Sequence, residues 1–146
     1  MKKILFICTG NTCRSPMAQE IFNKIAKENN VDMVAESAGI NAITGLEPSQ
    51  NSVEVCKEIQ VDLSDFTSTW ICDTDPMEYE LFVVMTQSHK DMLVTLGIEE
   101  NKIIILNKNN NGISDPYGGD LETYRKCRDE IMQGVETLCS SFAENN

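Results

Sequence analysis

No run of apolar residues in this sequence approaches the roughly 18 that a membrane-spanning helix needs. The start, "MKKILFIC", imitates a secretory or lipoprotein signal, but only Ile4 to Ile7 stand where such a signal needs an apolar core of roughly 7–15 residues. Basic residues are scarce too: 12 Lys and Arg face 23 Asp and Glu, a formal charge of -11. That balance repels a polyphosphate backbone and lacks the basic patch that nucleic acid binding requires. The expectation is a cytoplasmic protein with neither a membrane nor a nucleic acid partner, kept soluble by its acidic surface. No CxxC pair occurs among the six cysteines, at 8, 13, 56, 72, 127 and 139. Their wide spacing argues for thiols in a reducing compartment rather than a disulfide framework or structural zinc. The GxxxxGK[ST] signature of nucleotide-binding loops is missing as well.

What is present suits one globular domain, because 146 residues at 41% hydrophobic can bury a real core but not two ordinary ones. "KILFIC" is a short β-rich run stopped by Thr9-Gly10-Asn11. A helix should follow, with Ser15 as N-cap, Pro16 at the first helical position, and Met17, Ile21, Phe22, Ile25 and Ala26 on one face. "MVAES" before Ala38-Gly39, "LFVVMT" at 81–86 and "KIIIL" at 102–106 are three further strand candidates. Pro48 to Ile59 reads as a helix, as does Ser88 to Leu96, which Gly97 can terminate. The last helix is the clearest: Leu121, Tyr124, Arg128, Ile131, Val135, Leu138 and Phe142 recur at alternating three and four, with Arg128 its one polar member. Alternating strands and helices predict an α/β fold, a four-stranded parallel sheet with helices on both faces. Ligands of such sheets bind at the carboxyl ends of the strands. His89 is expected in the first turn of its helix as an ordinary residue, and Trp70 as packing or pocket rim.

Cys8 falls at the end of the first strand, and Arg14 follows six positions on, across a glycine turn. A loop that leads into a helix N-terminus offers unpaired backbone N–H groups and the positive end of the helix dipole, which together bind an anion. Gly10 permits close backbone approach, and the Arg14 guanidinium adds a planar fork that matches two oxygens of a phosphate. The same field favours thiolate over thiol at Cys8 and makes it a candidate nucleophile. Its attack on phosphorus would give a thiophosphoryl intermediate, with charge on the equatorial oxygens held by Arg14 and the loop amides. Ser15 can donate a hydrogen bond to that thiolate or serve as the helix cap; both readings stand at this point.

"CTGNTCRSP" resembles the phosphate loop of the low-molecular-weight protein tyrosine phosphatases, and "DPYGGD" at 115–120 resembles their general-acid loop. "SAG" at 37–39, "VVMTQSHK" and the long final helix occur in the family's order, so the likeness spans nearly the whole chain, 1–146 as one domain. The resemblance implies Cys8 as nucleophile, Arg14 as phosphate clamp and Asp115 as general acid. Asn11 and Ser15 would support loop and thiolate, and Thr9, Gly10, Thr12, Cys13 and Tyr117 would complete the substrate pocket. It implies phosphorylated protein substrates, inorganic phosphate as product, no cofactor and no metal. Cys13 is either a packing residue or, as the resemblance favours, the partner of Cys8 in a reversible disulfide that shields the nucleophile.

Two departures bear on substrate. Thr12 stands where tyrosine-directed members commonly have an aliphatic residue, and the family's protein arginine phosphatases resemble this chain there, in "MTxxHK" and in Asp-Pro-aromatic-Gly-Gly. Tyr117 is followed by Gly118, where tyrosine-directed members often carry a second aromatic. Both point to phosphoarginine over phosphotyrosine. Asp65 in "LSDF" lies near where many members have a histidine, which alters the supporting network. Thiol-linked arsenate reductases share this fold but relay oxidation through cysteines after the third strand, and "VVMTQSHKDML" has none.

Overall fold

The computed structural model describes residues 1–144. Four strands, β1 (Lys2–Cys8), β2 (Met33–Gly39), β3 (Leu81–Val84) and β4 (Ile103–Ile105), form one sheet in the order β2-β1-β3-β4, every neighbour parallel. The helices are α1 (Arg14–Glu28), α2 (Gln50–Lys57), α3 (Gln87–Thr95) and α4 (Leu121–Glu144). The single-domain α/β expectation is met. After β1 the chain goes to β2 on one side and then crosses to β3 on the other, so β1 lies at the point where strand order reverses. Sheets of this kind open a crevice there, outside the strand carboxyl ends.

β1 is buried from Ile4 to Cys8 because both of its faces are covered. Its period of two splits the core: Ile4, Phe6 and Cys8 join α1, α2 and α4 on one face, while Leu5 and Ile7 join Leu93 of α3 and Phe82 of β3 on the other. Arg128, the odd polar residue on the apolar face of α4, is 9% exposed and has a local job. Its Nη1 donates to the Val55 carbonyl at 2.9 Å near the end of α2 and to Glu58 at 2.7 Å. Arg125 grips the same carboxylate, and these bonds hold Glu58 down to about pKa 2.

One local expectation is corrected. α1 starts at Arg14, with Cys13 in the cap position and no side-chain cap bond, so Ser15 is inside the helix rather than at its N-cap. Pro16 still falls in the first turn, where its missing N–H costs nothing. At α3 the cap is Thr86, whose hydroxyl accepts from the His89 N–H, one residue earlier than the sequence pattern suggests.

Candidate active site

The loop from Thr9 to Cys13 joins the carboxyl end of β1 to α1, and its neighbours fix its shape. The Cys8 carbonyl accepts from Ile40 N at 3.0 Å, that of Thr9 from Asn41 N at 3.0 Å, and that of Thr12 from Ser49 N at 2.8 Å. With these carbonyls tied to the surrounding chain, the loop's N–H groups are left to meet an anion.

Asn11 is the hub of the loop. It is fully buried and sits at φ 56°, a left-handed conformation that asparagine tolerates better than most residues. Its Nδ2 donates to Ser15 Oγ at 2.7 Å and to Ser37 Oγ at 3.0 Å, and its Oδ1 accepts from Thr69 N at 2.8 Å. Ser37 passes the chain on to Gln19 Oε1 at 2.6 Å. Asp65, at the position the sequence marked as unusual, is exposed, and the network closes through Gln19 and the Thr69 backbone.

The Cys8 sulfur sits at the focus of this arrangement. Ser15 Oγ is 2.8 Å away and the Asn11 N–H donates to it at 3.3 Å. Asn11 Nδ2 occupies one lone pair of the Ser15 hydroxyl and leaves its proton available to the sulfur. This tertiary use, not capping, is why Ser15 is buried inside the first turn. Elsewhere in the core, burial pushes the Cys56 and Cys127 thiols up to about 12 and that of Cys139 up to about 11, which keeps them protonated.

Arg14 is only 4% exposed, and its Nη1 donates to the Ile113 carbonyl at 2.8 Å. That bond aims the fork, and Nη2 lies 3.8 Å from Asp115 Oδ2. Asp115 itself is half exposed, and its Oδ1 accepts from Tyr117 N at 3.0 Å, an Asx turn that sets the Asp-Pro-Tyr loop. The structure thus brings Cys8, Asn11, Arg14, Ser15 and Asp115 together from both ends of the sequence. Tyr117 joins through its backbone; its side chain stands out, the residue being 81% exposed. Thr12 is half-buried, its hydroxyl 3.9 Å from Cys13 Sγ. Cys13 is buried with its sulfur 3.4 Å from Tyr124 Oη, and both Cys8 and Cys13 are free thiols.

Sequence reasoning missed His89. It is 5% exposed, its Nε2 lies 2.9 Å from Thr9 Oγ1, and burial, helped by Arg14 and opposed by Asp115, pulls its pKa down to about 4. Gln19 was missed as well, although its place one turn after Ser15 on α1 was a usable signal.

No metal-ligating cluster of His, Cys, Asp and Glu occurs among the described residues. The geometry can hold a tetrahedral oxyanion against a sulfur nucleophile, with a carboxyl group alongside.

The chain is similar to known proteins over nearly its whole length. A protein-arginine-phosphatase of Geobacillus stearothermophilus is 36% identical over 148 residues, covering 97% of this chain and 94% of the relative. The arsenate reductase 1 of Staphylococcus saprophyticus is 36% identical over 140 residues, covering 92% and 94%. Among solved structures, a low molecular weight protein tyrosine phosphatase from T. tengcongensis superposes with a TM-score of 0.91 at 36% identity, over 97% of this chain and 99% of that one. Since the family described as low molecular weight phosphotyrosine protein phosphatase matches residues 3–146, the chain belongs to that family and is a phosphatase enzyme.

Proposed function

We propose that this enzyme, one domain over residues 1–146, hydrolyses phosphoarginine on proteins through a thiophosphoryl intermediate on Cys8. The observation that carries the mechanism is the Cys8 sulfur, bonded at 2.8 Å by Ser15 and at 3.3 Å by the Asn11 N–H at the mouth of a loop closed by Arg14. In the first step Cys8 sulfur attacks phosphorus, and the P–N bond to the guanidine breaks. Asp115 gives its proton to the departing nitrogen, and Arg14 with the loop amides holds the equatorial oxygens. In the second step Asp115 takes a proton from water, whose oxygen attacks phosphorus. The P–S bond breaks, releasing inorganic phosphate and restoring the thiolate.

Two features support a guanidinium leaving group. The Thr12 hydroxyl gives the loop a polar side chain, and Tyr117 stands 81% exposed instead of walling an aryl slot. Protonated Asp115 can accept a guanidino N–H on its carbonyl oxygen while its O–H faces the departing nitrogen. Phosphotyrosine is the second reading, favoured by the solved tyrosine phosphatase to which the chain is similar. Arsenate reduction lacks a thiol relay: β3 and α3 carry no cysteine, and Cys72 lies exposed ahead of β3.

All charge neutralisation in this scheme comes from side chains and amides, so the reaction proceeds in chelator. Free thiols at all six cysteines fit a reducing cytoplasm. The test is initial phosphate release from a phosphoarginine protein and a phosphotyrosine peptide, side by side in chelator, with Cys8→Ser as control. Faster release from phosphoarginine is expected. A phosphotyrosine preference overturns the substrate, and activity surviving in Cys8→Ser overturns the mechanism.

A further inference from the structure

His89 occupies the first turn of α3, 80 residues from the loop it touches. Its backbone is pinned by the Thr86 hydroxyl, and Leu93 one turn on is fully buried, so the ring is placed by the fold and not by solvent. Nε2 meets Thr9 Oγ1 at 2.9 Å. Nδ1 is the one buried side-chain polar atom left without a hydrogen-bond partner among the described residues.

That pairing fixes the tautomer. A neutral imidazole carries one proton, and a buried N–H without an acceptor is rarer in proteins than a buried acceptor without a donor. The proton therefore belongs on Nε2, where it has a partner, and the bare lone pair on Nδ1. A second proton would leave a donor unpaired and put a cation beside Arg14. With Nε2–H donating, the Thr9 hydroxyl is an acceptor toward His89, and its own proton must go elsewhere. Thr9 directly follows Cys8, is exposed, and has no second protein partner for its hydroxyl among the described residues.

We propose that His89 is a positioning residue that turns the Thr9 hydroxyl outward, so that Thr9 donates a hydrogen bond to a phosphoryl oxygen of the substrate and of the product phosphate. The proposal rests on the phosphatase reading of the loop but not on the identity of the leaving group, because the bond is made to the phosphoryl group. Thr9 touches substrate, whereas His89 acts only through Thr9.

Three measurements test it. Because His89 is the sole histidine, a long-range 1H–15N correlation spectrum of the intact protein near pH 7 shows one imidazole. It is expected in the Nε2–H form, and an Nδ1–H form overturns the proposal without any variant being made. In a double-mutant cycle, Thr9→Val and His89→Leu are each expected to lower kcat/KM about tenfold and raise the inhibition constant of inorganic phosphate by a similar factor, the worth of one hydrogen bond to a charged oxygen. The double variant should lose about tenfold, not a hundredfold, because both changes remove the same bond. His89→Gln, whose amide N–H reaches the same hydroxyl, should recover most of the loss, a rescue that a merely structural histidine would not give. Run on an aryl phosphate and on a phosphoarginine peptide, the cycle should show coupling on both. Additive losses on both substrates overturn the proposal, whereas a preference for the aryl phosphate overturns only the phosphoarginine reading.

Discussion

Gly39, the last residue of β2, lies against the phosphate loop more closely than any side chain permits. A Cβ there would stand 2.5 Å from the Thr9 carbonyl oxygen, 2.8 Å from Ala42 Cβ and 3.0 Å from Asn11 N. Two of those atoms belong to the loop backbone, and the Thr9 carbonyl is already held by the Asn41 N–H at 3.0 Å. β2 has little freedom to retreat, since Gly39 is in register with Cys8 and its N–H donates to the Thr69 carbonyl at 2.9 Å. The strain of Gly39→Ala must therefore fall on the loop. Opening the Thr9 contact from 2.5 Å to the ordinary 3.4 Å moves the loop by nearly an ångström. A displacement of that size at a reacting centre costs about a hundredfold in rate, and overpacking of this kind costs about 1–3 kcal/mol of stability. Initial rates on an aryl phosphate together with thermal melts read both effects. Gly10→Ala is the contrast, because its Cβ would meet only Thr12 Oγ1, at 3.7 Å, and the fold should be as stable as the parent's. A Gly39→Ala protein that keeps kcat within threefold of the parent refutes the reasoning.

Asn11→Ala removes three side-chain hydrogen bonds from a fully buried position and leaves a non-glycine residue at φ 56° without the asparagine's local compensation. Unsatisfied buried partners cost about 1–3 kcal/mol each, so urea unfolding should show a loss of roughly 3 kcal/mol, and a loss under 1 kcal/mol contradicts the hub role. His89 predicts an acid limb in the stability curve. Unfolded, its ring binds a proton below about pH 6.5; folded, only below about 4, because burial and Arg14 resist the charge despite Asp115. Protons then favour the unfolded chain, and stability falls as pH drops through that window by up to roughly 3 kcal/mol. Glu58, held near 2 by Arg125 and Arg128, adds a second loss as pH falls from 4.5 toward 2. Denaturation midpoints should fall between pH 6.5 and 5 in the parent and stay flat over that range in His89→Gln; a flat parent curve disproves the assignment.

Much of the fold was legible because its signals are local. The apolar run of β1, the turn at Thr9-Gly10-Asn11 and the three-and-four spacing of α4 each need only neighbouring residues to be read, and the Cys8 to Arg14 spacing places sulfur and guanidinium around one loop whatever lies outside it. Ser15 shows where the local rule gives way. A serine before proline is a good cap in isolation, but Asn11 Nδ2 and Cys8 Sγ claim its hydroxyl, and α1 starts two residues earlier than a Ser15 cap implies. Arg128 looked like a flaw in an apolar stripe until its partners on and beyond α2 were seen. His89 could be placed in the first turn of its helix, but its contact with Thr9 could not, because its burial depends on how α3 docks beside a loop 80 positions away.

These long-range contacts explain how a loop this short can hold a shape it would not adopt alone. Asn11 in a left-handed conformation costs energy, and such strain persists only where the surroundings over-determine it. Here they do: Ser37 and Thr69 fix the Asn11 side chain, residues 40, 41 and 49 fix the loop carbonyls, and Gly39 removes the one Cβ that would push back. Donors held in this way need no reorganisation when a phosphoryl group arrives, which is where preorganised sites gain most of their effect on rate. In the proposed mechanism the residues that shape the loop from outside therefore serve the rate as much as those that would touch phosphate. Substitutions at Gly39 and Ser37 should accordingly lower kcat more than they raise KM.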